Sequence, residues 1–327
     1  LPGKPGEISR RVVASQRLRT TGSNPASSLI SNLWRDTIGS YLSADYHFHV
    51  PVVSTMVGTA KAIVKTESHK SYQALGLDSA HQIRQDEFFR PGTAKKATRR
   101  GAFGKLRAGG IISGIREILS MTEIGPRLLE FEGAVKHAKD AGMSDRSAAI
   151  LGAVASKDVT VNFSRAGTTG QALNELILFY NAGVQGTDKF ARMIGAREPM
   201  PWAKENTRGK NLLKTLERGI PLSIAAVALY MLNRDEEWWK ELPPHEKWNH
   251  LHVPLGDGPV ARIPLPFEAG ALFASLPVAA IEGPESLQEA FNNTVKATSP
   301  VGLDPSDAVS ALHSTVRNFA LVAPVMD

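Results

Sequence analysis

Asn249-His-Leu-His-Val-Pro-Leu-Gly-Asp-Gly-Pro-Val-Ala-Arg-Ile-Pro264 is the stretch on which the fold class turns. His250, His252, Val260 and Arg262 alternate with Leu251, Val253, Ala261 and Ile263 around Gly256-Asp257-Gly258. A period of two on either side of a Gly-Asp-Gly turn predicts one β-hairpin. Pro254, Pro259 and Pro264 cannot donate to a ladder, so the pair is edge-like and not the centre of a sheet.

Outward from the hairpin, the spacing of apolar residues is helical almost everywhere. Asn24-Pro25 opens a helix to Ser43, with Leu29, Leu33, Ile38 and Leu42 near helical spacing. Helices are predicted over Ser54 to Leu75 and Ser79 to Phe89, separated by a C-cap signal at Gly76. A short helix over Ile111 to Met121 precedes one that Pro126 starts and Gly142 closes, and Ser144 caps the next, Asp145 to Ser156. A long helix over Thr168 to Ala191 is expected to be distorted around Gly183 and Gly186, and another covers Asn211 to Asn233. Beyond the hairpin, helices resume at Glu268 to Ala280, Glu285 to Val295 and Asp304 to Leu321. The expected fold is mostly α, a multi-helix assembly with one small β-hairpin near residues 249–264.

The 327 residues, 42% hydrophobic and 21% charged, suffice for one large domain or two ordinary ones. The expected organisation is a basic helical region over 1–116 with a loop at 90–110, a central helical core over 117–233, and the hairpin with C-terminal helices over 234–327. These parts are also compatible with one continuous domain. Zero cysteines exclude disulfides, thiolate zinc sites, iron–sulfur clusters and a cysteine nucleophile. The opening Leu1-Pro-Gly-Lys-Pro-Gly has no Met and no signal-peptide core, and is expected to be a piece of something longer. The apolar run Ile220 to Leu232 is shorter than the ~20 residues of a spanning helix, so a buried core helix is expected, with membrane contact as the alternative.

The net charge of +6 hides an asymmetry: residues 1–116 carry 18 Lys and Arg against 7 Asp and Glu, which leaves 20 against 25 for the rest. Arg90, Lys95, Lys96, Arg99, Arg100, Lys105 and Arg107 follow one another without a carboxylate between them. They are the candidate nucleic-acid-binding residues. The Gly and Pro among them (Pro91, Gly92, Gly101, Gly104) make a loop, which touches phosphates and does not read bases. The bland reading is a solvated basic loop, or one docked on an acidic neighbour.

Candidate chemistry is sparse. His245 and His250 are five apart, about 140° around a helix, whereas a zincin pair needs a spacing of four. Adding His252 gives H-x4-H-x-H without a matched carboxylate, and the pair His47 and His49 is discounted likewise, so neither metal nor other cofactor is expected. Gly101-Ala-Phe-Gly-Lys105 lacks the gap and the hydroxyl residue of a phosphate loop. No nucleophile elbow or dinucleotide fingerprint occurs, so the segment is expected not to be an enzyme. Trp238, Trp239 and Trp248 beside the apolar run either form an interfacial belt or pack the hairpin onto helices.

Four stretches carry a resemblance: Asn24-Pro25 with Asn32 to Thr37 (NLWRDT); Val159 to Gly167 (VTVNFSRAG); Phe179 to Thr187 (FYNAGVQGT); and Arg262 to Phe273 (RIPLPFEAGALF). Together, over about Arg10 to Ala280, they resemble a large polyvalent protein-associated domain of giant tailed-phage and mobile-element proteins. Proteins with this module are similar to internal virion, or ejection, proteins of short-tailed phages. The resemblance implies a structural module located in the capsid interior and, after ejection, in the host cell envelope. Implied partners are further copies of the chain (a homo-oligomer), other internal virion proteins, DNA backbone, and host membrane through residues 220–232. The alternative is an intracellular DNA-binding accessory domain of a mobile-element polyprotein. Within the motifs, Asn162 and Arg165 are expected to satisfy a turn, and Asn181 and Gln185 to bond across helices. Pro264 and Pro266 are expected to end the hairpin, and Glu268 to favour the next helix start through its dipole.

Overall fold

A computed structural model describes residues 25–77, 111–160, 162, 165, 180–204, 206–256 and 259–298. The chain is mostly α, and among the described residues the only sheet is a two-stranded antiparallel hairpin. It divides into two compact units, which in described residues are 25–77, 111–160, 200–204 and 206, and 162, 165, 180–199, 207–256 and 259–298.

The first unit contains α1 (Pro25–Ser43), α2 (Val53–Val64), α3 (Glu67–Ala74), α4 (Ile111–Asp140) and α5 (Asp145–Asp158). α4 is one continuous helix with Pro126 inside it, where a short helix and a separate Pro-initiated one were expected. Proline removes one i→i−4 bond. Pro126 is fully buried, so tertiary packing outweighs that loss. The expected helix 54–75 is instead split: Lys65 adopts a left-handed conformation (φ 56°), and the Thr66 hydroxyl accepts from the His69 amide to start α3. Gly76 and Gly142 take the positive φ that closes α3 and α4, and the Ser144 hydroxyl accepts from the Ser147 amide at 3.2 Å to begin α5.

Small residues bring the helices of this unit together. A Cβ on Gly58 would lie 2.1 Å from the Gly125 carbonyl oxygen, and one on Gly125 would lie 2.5 Å from the Thr55 oxygen. α2 and α4 therefore meet backbone to backbone. Around that crossing, Ala62, Tyr72, Leu77, Ile124, Leu128 and Phe131 form the core. α2 buries Ser54, Thr55, Gly58 and Ala62 and turns Val53, Met56, Val57, Ile63 and Val64 outward.

The second unit contains α6 (Tyr180–Met193), α7 (Arg208–Asn233), the single turns α8 (Glu237–Lys240) and α9 (Pro244–Lys247), β1 (His250–Pro254) and β2 (Val260–Pro264). After α10 (Phe267–Gly270), a π-helical turn (Ala271–Ser275) leads into α11 (Leu276–Glu282) and then α12 (Pro284–Thr298). The hairpin register pairs Leu251 with Ile263 and His252 with Arg262, as the alternation predicts. α6 is unbroken, so Gly183 and Gly186 are helical positions and not the expected distortion. The predicted helices over 79–89 and 304–321, and the first half of that over 168–191, lie outside the described residues.

α7 departs most from expectation. Among the described residues it is the one helix long and apolar enough to cross a membrane by length and composition, with a mean hydropathy of 1.3 over its most apolar 18 residues. Only 22% of that window is buried. It is not a core helix: it buries Asn211, Thr215, Gly219, Ala226, Tyr230 and Asn233 and leaves Leu213, Ile220, Ile224, Met231 and Leu232 exposed. Gly219 is required where α7 meets Phe273, since a Cβ there would sit 2.2 Å from the ring.

Candidate functional site

Two of the singled-out motifs meet in the second unit. The Gln185 side-chain amide on α6 donates to the Arg165 carbonyl at 3.1 Å, and the Arg165 guanidinium donates to Asp188 at 3.1 Å. The Arg165 amide turns back to the Asn162 carbonyl at 3.4 Å. Asp188 is a hub: Arg192 Nε reaches the same carboxylate oxygen at 3.2 Å from one turn along α6, and Arg197 binds the other. Arg197 is brought back by Gly195 at positive φ, and its amide donates to the Ala191 carbonyl. The Asn211 side-chain amide then donates to the Arg192 carbonyl at 2.7 Å, tying α7 to α6. Three guanidiniums share one carboxylate.

Asp188, Arg192, Arg197 and Asn211 were not singled out from the sequence. The i,i+4 spacing of Asp188 and Arg192 was a readable signal, whereas the Arg165 partnership spans 23 positions and was not. Thr187 donates to the Gly183 carbonyl of its own helix. Asn181 and Glu268 lie on helices, but their side chains are outside the described residues, as are Arg90, Lys95, Lys96, Arg99, Arg100, Lys105 and Arg107 entirely. Pro264 is buried as the last residue of β2, paired with His250. The Pro266 carbonyl accepts from the Gly270 amide at the first turn of α10.

The hairpin is seated by tryptophans. Trp248 Nε1 donates to Glu289 at 2.8 Å, and Trp239 Nε1 donates to Glu282 at 3.3 Å. Lys247 donates to the same Glu282 oxygen at 2.7 Å and lies 5.3 and 5.0 Å over the Trp239 and Trp248 rings. Trp239 and Trp248 are buried among Ala226, Tyr230, Leu265, Ala274, Val278 and Ala279, so they pack hairpin against helices and form no belt. The Asn233 amide donates to the His252 carbonyl at 2.8 Å, and the Ser275 hydroxyl donates to the Trp248 carbonyl at 2.5 Å.

Beneath the hairpin is a cavity of about 20 Å³, room for one water, lined by Tyr230, Asn233, Trp239, Lys247, Trp248 and His252 among others. His252 is buried against Trp238 and Trp239, and both its ring nitrogens lack a hydrogen-bond partner. Burial first, then the charges of His250 and Arg262, push it down to about 4. His250 Nδ1 sits 3.1 Å from the Glu246 carbonyl. Among the described residues, no three His, Asp or Glu side chains converge as a ligand set.

The first unit holds a buried carboxylate clamp. Glu130, inside α4, accepts from the Asp45 and Tyr46 amides on one oxygen (2.8 and 2.9 Å) and from the His47 amide on the other (3.0 Å). His49 Nε2 lies 3.7 Å away. Burial, and after it the charges of Asp45 and Glu130, raise the Tyr46 phenol to about 12, and its hydroxyl donates to the Trp202 carbonyl at 2.6 Å. His47 and His49 therefore sit on a loop that Glu130 holds in place. Burial and the neighbouring His49 lower the pKa of His47.

Residues 236–320 match large polyvalent protein associated domain 38. The matched segment begins just after α7 and contains the tryptophan box, the hairpin and α10 to α12. Of the four stretches that carried the sequence resemblance, only Arg262 to Phe273 falls within it. No curated protein and no solved structure matches the chain.

Proposed function

We propose that the chain is a non-enzymatic structural module of a phage internal virion, or ejection, protein. It assembles as an oligomer with other internal proteins, lies in the capsid interior, and accompanies the genome through the host envelope. The match of residues 236–320 to a large polyvalent protein associated domain carries this reading, because such domains resemble parts of giant phage and mobile-element proteins.

The physical features fit a scaffold: both charge hubs, the buried Glu130 and the partly buried Asp188, are consumed in holding backbone and helices together. In this reading, Arg90 to Arg107 lie against the packaged DNA backbone, where each phosphate contact makes binding salt-sensitive. Quantitative mass spectrometry of particles before and after receptor-triggered genome release tests it. Peptides of this chain present in full particles and lost from emptied ones are the expected result. Peptides found only in infected-cell lysate would refute it in favour of an intracellular DNA-binding accessory domain.

A further inference from the structure

We propose that the outer face of α7 seats against the hydrocarbon of an anionic lipid bilayer. Leu213, Leu216, Ile220, Ile224 and Met231 fall within about 80° of one another around the helix. Leu213, Ile220, Ile224 and Met231 are 67, 53, 65 and 44% exposed. From Leu213 to Met231 the stripe is about 27 Å long. In water an amphipathic helix turns such a stripe inward.

The buried side of α7 makes lipid the better-fitting occupant than water. Asn211, Thr215, Gly219 and Ser223 recur every four residues, and Gly219 lies against the Phe273 ring. Small residues packed inward with large aliphatics outward is the arrangement of helices whose surroundings are as apolar as leucine. The polar groups on that side are also satisfied locally, as a bilayer requires. Thr215 donates to the Asn211 carbonyl, Ser223 donates to the Gly219 carbonyl, and the Asn211 amide donates to the Arg192 carbonyl. α2 repeats the pattern in the other unit, with Ser54, Gly58 and Ala62 inward and Val53, Met56, Val57, Ile63 and Val64 outward.

Charge argues for lipid over a second copy of the chain. The first eleven residues of α7 carry Lys210, Lys214 and Arg218, together with Arg208, which pairs with Glu198 at 2.6 Å, against the single carboxylate of Glu217 within that segment. The remaining fifteen, Gly219 to Asn233, carry no charge on any side. A protein interface is rimmed by polar residues, whereas cations grouped at one end of an uncharged stretch match anionic headgroups beside acyl chains. The basic end therefore lies at the headgroups with Leu213 and Leu216 beside it, and the uncharged part of the stripe, Ile220 to Met231, lies below them. This goes beyond the particle reading and does not depend on it.

The absence of cysteine makes the test clean. Ile224→Cys of the full chain, labelled with an environment-sensitive dye, is mixed with phosphatidylglycerol-containing vesicles, with pure phosphatidylcholine vesicles, or with none. The expected result is a blue shift and quenching by lipid-borne quenchers with anionic vesicles only, while a label at Gln288→Cys on α12 does not respond. In a flotation assay, Ile220→Lys with Ile224→Lys should lower the bound-to-free ratio at least about tenfold. Unchanged circular dichroism would show that this exposed pair leaves the fold intact.

A label at 224 that ignores every vesicle would overturn the proposal. So would one already shielded without lipid: in proportion to protein concentration this means a second copy occupies the face, and independently of concentration it means the chain covers the face itself. Vesicle binding without presence in particles refutes only the particle reading, and the converse result refutes only this one.

Discussion

Replacing Gly58 by alanine drives a methyl group into the Gly125 peptide. The new Cβ would lie 2.1, 2.6 and 2.7 Å from the oxygen, carbonyl carbon and Cα of Gly125. No side chain is available to swing aside, so α2 and α4 must separate by roughly 1 Å to restore ordinary contact. Overpacking of this kind costs about 1–3 kcal/mol, while alanine in place of glycine in a helix returns about 1 kcal/mol. The net expectation is a loss of ~0–2 kcal/mol, a melting midpoint lowered by up to roughly 8 °C for a unit of this size and below that of the control that follows. Gly39→Ala is the matched control, because Gly39 is also helical and nothing lies within 4 Å of its would-be Cβ. It should stabilise by about 0.5–1 kcal/mol. Differential scanning calorimetry of the two variants beside the parent decides the matter. If Gly58→Ala melts as high as Gly39→Ala, α2 and α4 do not meet backbone to backbone and the small-residue argument for both units fails.

Other expectations are as direct. His252 has a folded pKa near 4 against 6.5 unfolded, so the unfolded chain binds the extra proton: stability is full above 6.5, falls as pH drops from 6.5 towards 4, and flattens below. Urea unfolding followed by tryptophan fluorescence at pH 7 and pH 5 should show this, and His252→Phe should shrink the difference, the lowered His47 supplying the remainder. Asp188→Asn leaves the guanidiniums of Arg165, Arg192 and Arg197 without their counter-charge and should cost about 2–4 kcal/mol, whereas Arg197→Ala at the exposed edge should cost under about 1 kcal/mol in chemical denaturation. Glu130→Gln turns an amide NH2 towards a backbone donor and should cost ~2–4 kcal/mol, read as faster hydrogen exchange at Asp45, Tyr46 and His47. Val52 has φ 67° and ψ −56° with the Val53 amide bonded to the Pro51 carbonyl, a γ-turn strained for a β-branched residue. Val52→Gly should therefore raise the melting midpoint, by about 1 kcal/mol of relieved strain.

What the sequence made legible was local. The hairpin could be read because its period of two and its turn occupy sixteen consecutive residues, and the register followed from them. Ser144 and Gly142 announced their caps in the same way. Pro126 misled because the rule that proline starts helices is a rule about backbone donors, and the burial of α4 outweighed one missing bond. The Asp188 hub was half legible. Arg192 lies one turn away, but the Arg165 and Gln185 contacts depend on how the chain returns across 20 or more positions, which no spacing encodes.

The orientation of α7 was illegible for a deeper reason. Its apolar run states how much hydrocarbon the helix carries and not which side faces the protein. That is decided by steric fit, and the fitting side is the one with Thr215, Gly219 and Ala226, where Phe273 and the helices behind it can approach. Once small residues take the inward face, the leucines and isoleucines have nowhere to go but outward. Burying that outward stripe would stabilise by ~25 cal/mol for each Å² of apolar surface removed from water. A chain that leaves Leu213, Ile220 and Ile224 more than half exposed thus holds a driving force in reserve for whatever apolar medium it meets, and in two separate units its inward faces are built of the residues that suit such a medium.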